Sequence, residues 1–249
     1  MKAIHRKKYT IHVSEVDFSQ KLKLSSLFLY LQDMATEHAE ILDVGRNRMK
    51  NYGVIWVLIR AKVDVTRYPK WNEDIFVETW PQQPNKIEFE RNFIVYDSDE
   101  NIIARAITSW VIIDINSRKL KRSSLINPNF PLVEREKALN CELGKFKSKG
   151  NLEPTYKKVV GYSDIDINEH LNNSRYIDYI MDCFSIEKHK NYFIKSIEIN
   201  YLHEALPGDS LTMYTELSEI DDKIIYIDGI NDETNKNIFK SQIEIQSIK

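Results

Sequence analysis

The sequence predicts an α+β fold built twice in tandem, each copy a long helix packed on an antiparallel sheet. Three observations carry this. Residues 163–182, SDIDINEHLNNSRYIDYIMD, align without a gap over residues 14–33, SEVDFSQKLKLSSLFLYLQD, at a constant spacing of 149. The matches are Ser14/Ser163, Asp17/Asp166, Leu22/Leu171, Ser25/Ser174, Tyr30/Tyr179 and Asp33/Asp182. In each copy an apolar stripe of helical period follows, and after it come four runs rich in β-branched and aromatic residues, separated by turn chemistry.

The first copy opens with an extended stretch, Tyr9 to Val16. Its helix carries Leu24, Leu27, Phe28, Leu31, Met34 and Ala35 at i, i+3, i+4, i+7 spacing, with Gly45 as the expected stop. Strands are expected at Val54–Val65, Asp74–Trp80, Ile87–Tyr96 and Ile102–Ile115. The second copy repeats the order. Lys157–Gly161 is extended, and a helix begins near the capping types Asn172–Ser174 with the stripe Tyr176, Ile177, Ile180, Cys183, Phe184. Its strands are expected at Phe193–Leu202, Ser210–Leu217, Ile224–Asp228 and Ile238–Ile248. From the strands onward the copies align at a spacing of 136, so the first holds thirteen extra residues, expected between Ile41 and Tyr52. A long helix cradled by an antiparallel sheet is the hotdog arrangement, and two copies in one chain can cover each other's sheet edges. The expected domains are residues 1–117, a linker at 118–156 and residues 157–249.

Composition narrows the function classes. With 42% hydrophobic and 29% charged residues the chain reads as a globular protein, and a net charge of −2 gives no electrostatic case for nucleic acid. No run reaches the ~20 apolar residues of a membrane span. The start lacks an apolar signal core, and Cys141 and Cys183 form neither a CxxC nor a metal spacing, so a cytoplasmic protein with free thiols is expected. Between Arg118 and Lys158 eleven Lys/Arg stand against four Asp/Glu. This is either a solvated segment or a landing strip for an acidic partner.

The repeat is asymmetric where chemistry is concerned. Asn168, His170 and Asn172 in the second copy face Ser19, Lys21 and Lys23 in the first. One copy has gathered Asp, Asn and His just before its helix and the other has not, which points to one active site in the second half. Each residue also has a plain reading. Asp166 can be turn chemistry, because Asp17 survives in the other copy; Asn172 can be a helix cap; a lone His near a helix start can be a surface residue. Trp56, Trp71, Trp80 and Trp110 all lie in the first half, and core or interface packing is the expected role of Trp71 and Trp80.

Several segments resemble the acyl-acyl-carrier-protein thioesterase family of plant plastids and bacteria. Tyr68-Pro69-Lys70-Trp71-Asn72-Glu73-Asp74 with Glu78-Thr79-Trp80 is similar to its YPxWxD…xTW signature. Arg105-Ala106-Ile107-Thr108-Ser109-Trp110-Val111 is similar to its RAxSxWV strand, and Asp166-Ile167-Asn168-Glu169-His170-Leu171-Asn172-Asn173 to its DxNxHxNN. The resemblance spans roughly residues 5–248. It implies a double hotdog, a catalytic set of Asp166, Asn168 and His170, and a later carboxylate that falls on Glu204. Glu204 faces Tyr68 in the first copy, so the carboxylate too belongs to the second half alone. Plant members carry Cys directly after that Glu. Here the position is Ala205, which leaves no cysteine nucleophile there, and Cys183, on the helix stripe, reads as core.

The implied reaction is hydrolysis of acyl-carrier-protein thioesters to free fatty acid. It needs no metal or organic cofactor, because a thioester carbonyl is electrophilic and thiolate leaves readily. His170 exchanges protons near neutral pH, Glu204 draws a proton from water directly or through His170, and Asn168 offers an amide donor. Asp166 either orients the Asn/His pair or attacks through an anhydride. The resemblance further implies that the first half holds the acyl chain, with Leu27, Leu31, Met34 and Trp56 as candidate lining and Asn172 as a further substrate contact. The expected partner is an acidic acyl carrier protein, met by Arg118, Lys119, Lys121 and Arg122; a homodimer stays open. Alternatives are an acyl-coenzyme A thioesterase on the same fold and a non-catalytic acyl-binding sensor.

Overall fold

Both predicted copies are present, each with five antiparallel strands and a helix carrying the apolar stripe. A computed structural model of the chain describes residues 3–126, 133–144, 152–218 and 221–248, and the chain divides into two compact units, Met1–Leu143 and Gly144–Lys249. The first contains β1 (His5–Thr10), α1 (Leu24–Ile41), α2 (Arg46–Asn51), β2 (Val54–Val65), β3 (Asp74–Pro81), β4 (Glu88–Tyr96) and β5 (Ile102–Asp114). Its strands lie in the order β1-β3-β4-β5-β2, every pair antiparallel. The second contains β6 (Glu153–Val159), α3 (Asn173–Asp182), α4 (Ile186–Asn191), β7 (Tyr192–Tyr201), β8 (Ser210–Leu217), β9 (Ile224–Asn231) and β10 (Asn237–Ser247). Its order, β6-β8-β9-β10-β7, is the same one.

The helix stripes are buried as their spacing demands. Leu24, Leu27, Phe28, Leu31, Met34 and Ala35 of α1 are all buried, and α1 packs against β3. Each of the Leu, Phe and Met side chains contributes about 1.5–3 kcal/mol when removed from water, so the stripe holds the helix in place. In α3 the buried set is Tyr176, Ile177, Tyr179 and Ile180, with Cys183 at the cap. Phe184 lies beyond the helix end, edge-on to His189.

Four expectations change. The extended stretch Tyr9–Val16 is a strand only to Thr10, after which Val13–Glu15 forms a 3-10 turn; the counterpart in the second unit is Tyr162–Asp164. Glu15 and Asp164 close these turns by accepting the backbone N–H groups of His12 and Gly161 at 2.7 and 2.9 Å. Gly45 does not end α1, which stops at Ile41; Gly45 precedes α2. The Glu40 side chain occupies the space a Cβ would need there, and its carboxylate accepts the Arg46 N–H at 2.9 Å. The extra residues of the first copy are largely helical: α1 has 18 residues and α3 has 10, so most of the insertion precedes Ile41. Trp80 is fully buried, but Trp71 is 53% exposed at the tip of a turn.

The basic segment after β5 is not all free linker. Residues 133–143 run over the first sheet, where Ala138 is buried with Trp80, Ile94 and Ile107, and Val133, Leu139 and Leu143 pack beside them. The Ala138 N–H donates to Asn92 Oδ1 at 2.8 Å, and the Arg135 guanidinium lies 4.0 Å from the Trp80 ring centre. Interspersed apolar residues hold this strap down despite its charge. Pro128, Pro131, Lys145, Lys147 and Lys149 of the segment lie outside the described residues.

Candidate active site

The loop between β6 and α3 is a hydrogen-bonded scaffold with a counterpart in the first unit. In the second unit Asp166 N–H donates to the His170 carbonyl at 2.9 Å, Glu169 N–H donates to the Asp166 carbonyl at 3.0 Å, and Ile165 bridges Leu171. The first unit has the same bonds from Asp17 to Lys21 (2.8 Å) and from Gln20 to Asp17 (3.0 Å), and the same bridge from Val16 to Leu22. Glu169 and its counterpart Gln20 both adopt left-handed backbone, φ 64° and 61°. Asp166 Oδ1 accepts the Asn168 N–H at 2.8 Å and Oδ2 accepts the Asn168 side-chain amide at 3.3 Å. Asp17 makes the equivalent bond to the Ser19 N–H at 2.7 Å. The aspartate therefore holds the turn in both units, which is why it survives where the rest of the polar cluster is gone.

On that scaffold His170 meets Glu204. The Leu171 N–H donates to the Ala205 carbonyl at 2.9 Å, tying the loop to the segment that follows β7; the first unit repeats the tie from Leu22 to Pro69 at 2.8 Å. This fixes two neighbouring backbones, and His170 Nε2 lies 3.2 Å from Glu204 Oε2. The side chains are 27% and 40% exposed, and ion pairs this open contribute about 1 kcal/mol or less. Stability is a poor reason for such a pair. Hydrogen-bond reach and solvent access are what proton transfer requires. With Nε2–H donated to Glu204, the opposite ring nitrogen holds the lone pair.

Near the pair lie two tyrosines, which the sequence placed only on a helix stripe and in a strand. The Tyr176 phenol meets the Ala205 backbone N–H, and burial, foremost, with Glu204 and Asp166 nearby, pushes its ionisation above the usual range. Tyr201 donates to the Asn173 carbonyl at 3.1 Å and is likewise raised by burial. Tyr176 packs edge-on against Tyr201 and Phe239, with ring centres 5.4 and 5.5 Å away. Both phenols stay neutral. The helical spacing of Tyr176 was visible in the sequence; its place near Glu204 was not. His203 turns aside to the Asn237 carbonyl at 2.7 Å.

The other sequence-predicted residues fall elsewhere. Asn172 caps α3, its Oδ1 accepting both the N–H and the hydroxyl of Ser174 at 2.9 Å. Cys183 is buried, its thiol pushed up to about 12 by burial and by Asp182, and it donates to the Tyr179 carbonyl at 3.3 Å. In the first unit Leu27, Leu31 and Met34 are buried in the helix–sheet core. Trp56 donates its indole N–H to the Val44 carbonyl at 2.9 Å and packs edge-on against Phe89. Arg118, Lys119, Lys121 and Arg122 follow β5 on a tight return, where Lys121 pairs with Asp114 at 3.0 Å. Among the described residues no three His, Cys, Asp or Glu side chains are grouped to hold a metal ion, and no helix is long and apolar enough to cross a membrane.

Two hotdog units, the second carrying a solvent-facing His–Glu pair, define the class: a tandem hotdog protein with one candidate acid–base pair. Residues 2–124 match the acyl-ACP thioesterase N-terminal domain and residues 149–247 the acyl-ACP thioesterase C-terminal domain: the chain belongs to the acyl-ACP thioesterase family. A solved acyl-ACP thioesterase from Bacteroides thetaiotaomicron is similar with a TM-score of 0.90 at 25% identity, over 98% of each chain. The 12:0-ACP thioesterase of Umbellularia californica shares the fold, with a TM-score of 0.84 at 19% identity over 100% of this chain and 99% of its own. Among curated relatives, the chloroplastic oleoyl-acyl carrier protein thioesterase of Coriandrum sativum is 24% identical over 237 residues, 88% of this chain. The chain spans 63% of that relative's length and 52% of the palmitoyl-acyl carrier protein thioesterase of Cuphea hookeriana.

Proposed function

We propose that this chain hydrolyses fatty acyl-acyl-carrier-protein thioesters to free fatty acid and the carrier thiol, ending chain elongation. The observation that carries the reading is the His170–Glu204 pair, 3.2 Å apart on a loop scaffold whose first-unit copy has Lys21 and Tyr68 instead. Family membership supplies the substrate class, since its named relatives are acyl carrier protein thioesterases.

In this reading Glu204 orients His170 through the 3.2 Å contact. His170 takes a proton from water as the water oxygen bonds to the thioester carbon. The C–S bond then breaks, and the proton passes to the departing thiolate. Asn168, whose amide is steadied by Asp166, donates to the developing oxyanion. Because both Asp166 oxygens are engaged with Asn168, as Asp17 is with Ser19, water attack is favoured over an anhydride on Asp166. Leu27, Leu31, Met34 and Trp56 of the first unit set the preferred acyl length. Arg118, Lys119 and Arg122 meet the acidic carrier, Lys121 contributing less because Asp114 holds it. The free thiols of Cys141 and Cys183 suit a reducing compartment, and we place the reaction in the cytoplasm.

The test is to incubate pure protein with acyl-carrier-protein thioesters of graded length and with the matching acyl-coenzyme A thioesters, and to detect free acid. Release from the carrier series at low salt, falling as salt rises, is expected. Faster release from coenzyme A would transfer the assignment to that thioester. Binding without release would make the chain a sensor.

A further inference from the structure

Phe18 and Trp71 occupy the same position in two adjoining β-turns of the first unit. Gln20 N–H donates to the Asp17 carbonyl at 3.0 Å, with Phe18 the second residue of that turn; Glu73 N–H donates to the Lys70 carbonyl at 3.1 Å, with Trp71 second. The turns are stitched together by the Trp71 N–H, 2.9 Å from the Gln20 carbonyl, and by a bridge between Lys21 and Lys70. Trp71 is 53% exposed, Phe18 52%, and Val13 on the neighbouring 3-10 turn 69%. Lys21, Lys23 and Lys70 lie in the same loops and make no ion pair among the described residues. The local acids are engaged. Glu73 is held by Arg67 at 2.6 Å and Asp74 by Lys8 at 2.8 Å. Asp17 accepts from the backbone and hydroxyl of Ser19, and Glu15 from the His12 N–H.

The second unit is a built-in control. It forms the same pair of turns, with Asp209 N–H donating to the Leu206 carbonyl at 3.0 Å, yet Trp71 and Phe18 become Pro207 and Ile167, and Lys21, Lys23 and Lys70 become His170, Asn172 and Leu206. The second-unit tips also expose apolar side chains, Ile167 at 76% and Tyr162, the counterpart of Val13, at 98%, so what is particular to the first unit is the grouping of such tips with three lysines. Exposing a tryptophan and a phenylalanine on adjacent tips loses the burial energy each would otherwise supply.

We propose that these loops are a peripheral membrane-contact surface, in which Trp71, Phe18 and Val13 enter the headgroup region of an anionic bilayer while Lys21, Lys23 and Lys70 meet the lipid phosphates. A bilayer fits better than an acidic protein. A stable protein interface buries roughly 800 Å² per partner around a packed apolar centre, and three side chains on turn tips do not supply that. Interfacial insertion needs only a few amphipathic aromatics and a basic surround. The surface would place the enzyme where a fatty acid, once released, partitions.

The full chain is sedimented with vesicles of pure phosphatidylcholine and of an equimolar mixture with phosphatidylglycerol. Binding to the mixed vesicles is expected, weaker to the neutral ones and weakening with salt. Trp71→Ala and Phe18→Ala should each lower the partition coefficient about tenfold, and each of Lys21→Gln, Lys23→Gln and Lys70→Gln about fivefold. Leu217→Ala, an exposed apolar residue of the second unit, should change nothing. Thermal melting checks that every variant is folded. Failure to sediment with either vesicle, or folded Trp71 and Phe18 variants that partition like the wild type, would overturn the proposal. So would variants that keep vesicle binding and lose affinity for the holo-carrier protein, which would make the surface a protein site. Because the readout is binding, it stands or falls apart from the proposed hydrolysis.

Discussion

Replacing Glu204 by glutamine removes one charge and keeps the side chain's shape, and the amide oxygen can still accept the Nε2–H of His170 across the 3.2 Å contact. The ring therefore stays in place while the carboxylate charge beside it is lost. With the carboxylate 40% exposed, the pair's loss should cost at most about 1 kcal/mol of stability, or a fall in Tm of about 2–4 °C for a chain of this size. The rate should respond far more. A positioned acid–base group contributes about 100-fold or more, equivalent to about 2.7 kcal/mol on the barrier. The prediction is thus a dissociation: kcat down at least ~100-fold, KM nearly unchanged, and melting almost intact. It is read by following carrier thiol release with a chromogenic disulfide at saturating substrate, alongside calorimetry. A folded variant within threefold of wild-type kcat would refute the reasoning, as would a loss of rate that merely tracks unfolding.

Further outcomes follow from the same geometry. Asn168→Ala should lower kcat more than it raises KM, because its amide acts as charge develops; a change in KM alone would leave it a substrate-positioning residue. Cys183→Ser should keep activity, since a thiol pushed up to about 12 stays protonated at neutral pH, and inactivation without unfolding would restore a cysteine route. Asn172→Ala should destabilise by about 1 kcal/mol through loss of the α3 cap, seen as a lower melting temperature; an unchanged melt with a raised KM would instead make Asn172 a substrate contact. Leu31→Phe should shorten the preferred acyl chain, because a packed core does not absorb added volume readily. Equal slowing for every chain length, measured across the carrier thioester series, would remove Leu31 from chain selection.

Local pattern was highly legible. The runs Val54–Val65 and Ser210–Leu217 read as strands from their β-branched and aromatic content and have those same bounds in the structure. The stripe Leu24 to Ala35 read as a buried helix face and is one. Burial and length were harder. Trp71 and Trp80 sit in one motif, yet one lies on a turn tip and the other in the core, because only Trp80 is covered by the strap around Ala138. The extra turns of α1 look no different in composition from the loop expected after them.

By itself the sequence determined that there are two copies of one fold and that a single copy carries the Asn and His beside a later Glu. Those facts depend on residue identity and spacing, which a repeat compares directly. The tertiary structure alone decided that Asp166 is a turn-holder, since this required seeing Asp17 make the same bonds. It also decided that His170 reaches Glu204. That contact depends on the Leu171–Ala205 backbone bond between segments far apart in the chain, and no local pattern encodes which distant segment will pass within hydrogen-bonding distance.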